Sequence, residues 1–316
     1  MKILVTGGAG FIGSNLSQRL INEGHEVVVI DNFNDYYDVS LKRDRVKEFL
    51  QDVTVIEGDI TDAPFIEDLF KEHSFDVVCH FAAQAGVRYS IEQPSEYVKA
   101  NVLGMQILLE TMKEAGVKQM VYAASSSVYG MDTKAPFKET ERADRPVSVY
   151  AATKRAAELL AYSYHNQYGL DVTCLRFFTV YGPWSRPDMA MLKFADLMTS
   201  GKPIDVYNNG DLRRDFTYVD DIVEGFTRAI HKPLGYEILN IGNGSPVEVM
   251  AFIKLLEKEL GIEAEKNMLP MQQADVQETY ADTTKAKEML GFESQTDFPE
   301  GVKKFVKWYK EYYKHS

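Results

Sequence analysis

Only two cysteines, Cys79 and Cys174, occur in the 316 residues, and both sit inside apolar runs. That argues against a disulfide framework or a thiolate metal site and predicts a reduced, cytoplasmic protein. The six histidines show no ligand-like spacing, so no metal is expected. No run approaches the roughly 20 apolar residues of a membrane span. The opening MKILVTGG is broken by glycine too early to serve as the apolar region of a signal peptide. Basic residues are scarce as well: 35 Lys and Arg stand against 47 Asp and Glu, a formal net charge of −12. A surface of that sign repels nucleic acid and anionic membrane, although a local basic pocket is compatible with it. What is present is a globular composition, 45% hydrophobic and 26% charged, in a chain long enough for about two domains.

The N-terminal half alternates two kinds of pattern. KILVTG, HEVVVID, VTVIEGD, DVVCHFA, KQMVYAAS and DVTCLRFF are short runs rich in valine and isoleucine, as buried parallel strands are. Helical periods lie between them, at residues 10–22, 41–50, 64–72, 95–114 and 149–168. This alternation predicts an α/β fold, a doubly wound parallel sheet of the Rossmann kind. After Phe178 the regularity gives way to TVYGPWSRPDMA and YNNGDLRRDFTYVDD, loops rich in Gly, Pro, Arg and Tyr. We therefore expect a first domain over 1–178 and a smaller C-terminal α/β substrate domain over 179–316, some segments of which return to pack on the first.

ILVTGGAGFIGSNL sets Gly7, Gly10 and Gly13 between the first strand and the first helix, spaced G-x-x-G-x-x-G. The first glycine permits a tight turn, the second lets backbone approach a pyrophosphate, and the third packs helix on strand. The helix N-terminus then offers N–H groups and partial positive charge to the anion. Asp31 closes the second strand, 18 residues after Gly13, where an acid hydrogen-bonds the adenosine ribose. The following NFNDYYD adds acids and no nearby arginine, so a 2′-phosphate is disfavoured and NAD is expected rather than NADP. Asp59 and Ile60 in GDITD are placed beside the adenine. The strand end HFAAQAG, with Ala82, Ala83 and Gln84, offers a small-residue wall for a dinucleotide.

In SVYAATKRAAELL, Tyr150 and Lys154 are four residues apart, about 40° around a helix axis, so they share one face. T-G-G-A-G-F-I-G, ASSSVYG and YAATK together resemble the extended short-chain dehydrogenase/reductase family, and within it the nucleotide-sugar 4-epimerases. The likeness runs on through RRDFTYVDD and ETYADTTKA. It implies that Ser125 hydrogen-bonds the reacting oxygen, that Tyr150 is the base and that Lys154 supports it and holds the nicotinamide ribose. It adds Phe11, Ile12, Asn32 and Asn101 to the cofactor contacts. The residue types suit the task. An alcohol carbon that gives hydride to NAD⁺ must lose its hydroxyl proton, and a free tyrosine titrates near pH 10. Positive charge from Lys154 and the oxidised nicotinamide favours the phenolate. Epimerisation returns the hydride to the opposite face of a 4-keto sugar, so the cofactor stays bound.

Related 4,6-dehydratases carry an Asp-Glu pair where this chain has Ser126 and Ser127, and decarboxylases usually place glutamate at the position of Ser127. Without those carboxylates, 4-epimerisation is the reading that remains, with Ser126 left to the sugar. The resemblance implies that Arg214 in RRDF meets the diphosphate, for which a guanidinium fork is suited, and that Asp275 contacts the uridine ribose. Gln272 departs from many hexose epimerases, which have a second arginine there. Three stretches, DNFNDYYDVSLKRDR, AAQAGVRYS and RFFTVYGPWSRPDMA, resemble UDP-glucuronate 4-epimerases. They imply that Thr179, with Arg186 or Arg88, receives a C6 carboxylate, and that the substrate is UDP-glucuronate or UDP-galacturonate. Thr279, where plain hexose epimerases tend to have tyrosine, leaves room for UDP-N-acetylglucosamine, the alternative beside UDP-glucose. Relatives pair as homodimers through helices matching 95–114 and 149–168. A dinucleotide sensor without turnover would dispense with Ser125, Tyr150 or Lys154, and all three are present.

Overall fold

The apolar runs of the first half become parallel strands in the computed structural model, which describes residues 1–271 and 276–314. These strands are β1 (Lys2–Thr6), β2 (Glu26–Asp31), β3 (Thr54–Glu57), β4 (Val77–His80), β5 (Gln119–Ser125) and β6 (Asp171–Phe177). Four more follow: β7 (Thr179–Tyr181), β8 (Ile204–Val206), β9 (Arg213–Tyr218) and β10 (Tyr236–Ile241). The last three are β11 (Pro246–Glu248), β12 (Lys266–Met268) and β13 (Glu278–Thr279). Among the described residues, a seven-stranded sheet runs in the order β10-β6-β5-β4-β1-β2-β3. Every pairing in it is parallel.

Alternating side chains of a strand leave by opposite faces, and both faces are covered here. Ile3 and Val5 of β1 join Leu16, Leu20 and Phe226 in one core, while Leu4 joins Val28, Val78, Ile66 and Leu108 in the other. The chain beyond residue 178 takes part in this. Strand β10 completes the sheet edge against β6, and Phe226 of the helix Val219–His231 stacks on Phe81 at 4.4 Å.

The remaining strands β7, β9, β11 and β13 form a mixed four-stranded sheet, and β8 pairs with β12. Asp215, in the RRDF stretch, is the buried hub of that region. Its carboxylate accepts from Thr217 Oγ1 (3.1 Å), Asn243 N (2.8 Å), Gly244 N (3.0 Å) and Ala281 N (3.0 Å). Four donors offset part of the desolvation of one buried carboxyl and tie β9 to the loop at 243–244 and to Ala281.

One expected helix differs. Residues 95–114 do not form one continuous α-helix: a π-helical turn, Val98–Leu103, separates Pro94–Tyr97 from Gly104–Ala115. The side chain of Asn101, within that turn, bonds the backbone of Gln84 both ways, at 2.7 and 3.1 Å, and donates to Thr153 at 3.0 Å. Such turns aim a residue that a regular helix would misplace. No helix among the described residues is long and apolar enough to cross a membrane.

Candidate functional site

A long cleft opens at the C-terminal ends of β1, β2, β4 and β5, where ligands of doubly wound sheets bind. Gly7, Gly10, Phe11, Ile12 and Gly13 line one end of it. Gly7 has φ +68°, and a Cβ there would lie 2.6 Å from Ala82 N and 2.8 Å from Ala82 Cα. A Cβ on Gly13 would meet Gly7 O at 2.5 Å. No side chain caps the helix Phe11–Asn22 at Gly10, which leaves its N-terminus to an anion.

Asp31, at the end of β2, lines the same cleft, and its carboxylate is fixed by Ala9 N (3.1 Å) and Phe33 N (2.9 Å). Asn32 donates to Asp59 at 3.0 Å, and Asp59 also accepts from Thr61 N at 2.8 Å and Thr61 Oγ1 at 2.7 Å. Burial works to raise the Asp59 carboxyl, but the bonds from Asn32 and Thr61 prevail and hold it below the ordinary value. Ile60, Ala82, Ala83 and Gln84 complete this half of the wall. The glycine cradle, the uncapped helix and the acid at the end of β2 fit a dinucleotide. Asn101 does not line the cleft; its polar atoms brace Gln84 from behind.

The expectation of acids and no arginine around Asp31 leaves out a lysine that reaches it. Lys42 lines the cleft, with Nζ 3.7 Å from Asp31 Oδ1 and hydrogen bonds to Asn34 O and Oδ1 at 3.0 and 3.1 Å. It arrives one helical turn into Val39–Phe49, which reading the loop alone does not show.

At the other end of the cleft stand Ser125, Tyr150 and Lys154. Ser148 caps the helix Val149–Tyr168 through Ala151 N at 3.1 Å, which places Tyr150 in the first turn and Lys154 one turn deeper. Burial holds the Tyr150 phenol above its ordinary value, against a hydrogen bond with Ser125 and the charge of Arg186. Ser125 Oγ is also 2.9 Å from Ser127 Oγ. Lys154 is buried and donates to Ala123 O at 2.8 Å, its Nζ lying 4.8 Å from the centre of the Tyr122 ring. Burial pushes it down to about 7 despite Glu158. At both groups desolvation outweighs the neighbouring attraction, so burial works against the charges that the pairing of Tyr150 and Lys154 calls for.

Of the residues expected to meet substrate, Arg186 lines the cleft and the others named below do not. Its Nε and Nη2 bond Asp188 at 2.9 and 3.0 Å. Thr179 opens β7 opposite Phe216, between the cleft residues Phe178 and Val180. Ser126 begins a short 3₁₀ turn. Arg88 packs over the Tyr207 ring at 5.4 Å. Arg214 bonds the carbonyls of Arg213 and Gln277 at 2.8 and 3.1 Å and is the register partner of Thr279. Asp275 and Gln272 lie outside the described residues.

Tyr36, Lys42 and Asp188 escaped the sequence reading although all three lie in stretches it singled out; only their tertiary partners reveal them. The histidines also need correction. His25 and His231 stand 5.5 Å apart, ring to ring, with Glu23 within 3.9 and 3.5 Å of them. They occupy the N-terminal ends of the strands, away from the cleft, and Arg19 holds the other Glu23 oxygen at 2.5 Å. His80 is a strand residue, buried and bonded to Thr6 Oγ1 at 2.7 Å, and burial lowers it to about 3.

The profile described as NAD dependent epimerase/dehydratase family matches residues 3–242. UDP-glucuronate 4-epimerase 4 of Arabidopsis thaliana is 46% identical over 99% of this chain and 76% of its own length. The crystal structure of UDP-glucuronic acid 4-epimerase from Bacillus cereus, in complex with UDP-glucuronic acid and NAD, is 35% identical. It superposes with a TM-score of 0.91 over 99% of this chain and all (100%) of that one. UDP-glucose 4-epimerase from Thermotoga maritima, crystallised with UDP-glucose, is 34% identical with a TM-score of 0.92 over 99% and 100%. Backbone likeness therefore does not separate a uronic acid from a neutral sugar.

Proposed function

The chain belongs to the NAD dependent epimerase/dehydratase family, by its relatives an NAD-dependent UDP-sugar 4-epimerase, and from that premise we propose that it interconverts UDP-glucuronate and UDP-galacturonate. The observation that carries the choice of sugar is Arg186. It lies in the cleft that holds Tyr150, near enough for its charge to act on the phenol, and among the described residues one edge of its guanidinium is open.

The residues divide the work as follows. The glycine loop and the helix Phe11–Asn22 would hold the NAD pyrophosphate, and Asp31 with Lys42 the adenosine ribose. When bound, NAD supplies a hydride acceptor bearing positive charge, which gives back what it takes. Ser125 holds the C4 oxygen by a hydrogen bond. Tyr150 removes its proton and later returns it to the same oxygen, now on the opposite face of the ring. Lys154, one turn below Tyr150, supplies the charge that favours the phenolate. Arg186 receives the C6 carboxylate through two parallel N–H···O bonds, a geometry lysine cannot supply. Arg214 and Thr279, register partners across β9 and β13, are the proposed contacts for the UDP moiety, with Asp275 at the uridine ribose, and Thr179 and Ser126 beside the sugar.

A homodimer through the helical stretch 95–114 and the helix Val149–Tyr168 is part of the proposal. Leu103, Leu159, Tyr162 and Tyr168 are exposed there, an apolar face whose burial would stabilise a pair. Light scattering at the mass of one chain would overturn it. For the sugar, the purified protein is offered UDP-glucuronate, UDP-N-acetylglucosamine and UDP-glucose separately and the 4-epimers are resolved. UDP-glucuronate is expected to react with the highest kcat/KM. Conversion confined to the N-acetyl or the neutral sugar contradicts the role of Arg186.

A further inference from the structure

The stretches 31–45, 82–90 and 176–190, separate in sequence, meet at Tyr36, whose hydroxyl reaches the partner of Arg186. Asp188 takes the Nε–Nη2 edge of the guanidinium at 2.9 and 3.0 Å. Tyr36 Oη donates to Asp188 Oδ2 at 3.2 Å, so the carboxylate is held from two sides. Among the described residues Arg186 Nη1 makes no hydrogen bond, and Arg186 lines the cleft. The outer edge of the fork is thus left to a second carboxylate. Tyr36 is itself confined: its ring lies 5.0 Å from that of Tyr89, and a Cβ on Gly86 (φ +95°) would fall 2.1 Å from its hydroxyl. Burial and the neighbouring Asp188 push Tyr36 up to about 12, so it remains a donor at neutral pH.

A second grip lies two residues before Arg186. Arg45 is fully buried, and none of its hydrogen bonds goes to a carboxylate. Its Nε and Nη2 donate to Trp184 O at 3.0 and 2.8 Å, and Nη2 also to Ser185 O at 3.3 Å. Nη1 donates to Tyr37 Oη at 2.7 Å and to Ala9 O, in the glycine loop, at 3.3 Å. The carbonyl it holds belongs to a strained residue: Trp184 has φ +63°, a left-handed conformation rare for a bulky side chain. The indole is wedged against Trp308 at 5.4 Å and Tyr312 at 4.7 Å. Such a conformation persists only where its surroundings over-determine it.

We propose that Tyr36 and Arg45 are positioning residues for the acidic group of the substrate. The segment after β2 straps the loop 184–188 so that Arg186 presents its open edge to a sugar carboxylate. This rests on the uronic-acid reading above. The strap begins at Asp31 and Lys42, so the segment that lines the ribose end of the cleft also fixes the arginine at the sugar end.

The test uses the NAD-loaded protein and the variants Tyr36→Phe and Arg45→Lys. The first removes one oxygen; the second keeps the charge but not the fork. KM and kcat are measured with UDP-glucuronate, Ki with UDP-glucose as a competitor that lacks the carboxylate, and Tm for folding. In Tyr36→Phe, KM for UDP-glucuronate is expected to rise roughly five- to twentyfold, at or below the scale of a lost hydrogen bond to a charged group because Tyr36 acts through Asp188. Its kcat stays within about twofold, as for loss of uniform binding, while Ki for UDP-glucose and Tm hold. Arg45→Lys shows the same split in KM against Ki even if its Tm falls. Unchanged KM, or KM and Ki rising together in both variants, overturns the strap alone. A wild-type protein that binds UDP-glucose as well as UDP-glucuronate overturns the uronic-acid reading, and the strap with it.

Discussion

Burial works against ionisation of both Tyr150 and Lys154. The charge proposed for Lys154 is therefore opposed by its surroundings, and it offers a direct check. Its folded value, about 7, lies below that of an unfolded lysine. The sign follows: the stability this group contributes is present above the unfolded value, near pH 10, and is lost as pH falls toward 7. Methionine at this position carries no such dependence. Denaturation of Lys154→Met and wild type between pH 7 and 10 should show the variant's relative stability greatest at pH 7. It should decline, on the order of a few kcal/mol, as pH rises. A difference independent of pH would mean that Lys154 stays charged in the folded protein.

At the scale of elements, the glycine loop and β4 fix the cofactor end. A methyl group at Gly7 must enter the backbone of Ala82, which cannot swing aside as a side chain can. Gly7→Ala is expected to lower stability by about 1–3 kcal/mol, the range for overpacking and left-handed strain. The purified variant should also retain less NAD, measured by releasing the nucleotide on denaturation; full retention with unchanged stability would show that the turn is slack. This loop was legible in the sequence because its geometry is local, and so were the strands, whose valine-rich runs are dictated by burial on both faces. The π turn at Val98–Leu103 was not legible, because what interrupts the helix is Asn101 bonding Gln84 and Thr153, contacts made only in the folded chain. Lys42 beside Asp31 was missed for a related reason. The acids of NFNDYYD were read as the whole environment, whereas the next helix carries a cation back over them.

Across the whole molecule, a chain of net charge −12 spares its cleft the excess of acids: Lys42, Lys99, Lys154 and Arg186 line it against Asp31, Asp59 and Glu96. The boundary expected at residue 178 passes through a shared structure: β10 and the helix Val219–His231 belong to the first sheet and its cover, while β7 and β9 carry the walls that hold Arg186 and Arg214. The cleft between them is the stage for the central claim, that hydrogen leaves C4 of the sugar and comes back to the same carbon. The most direct measurement is to supply UDP-glucuronate deuterated at C4, with no added nicotinamide, and to follow the label in the UDP-galacturonate formed. The account predicts product that keeps deuterium at C4 while bulk solvent takes none. Exchange of that label for solvent hydrogen, or turnover that requires added reduced nicotinamide in stoichiometric amount, would contradict it.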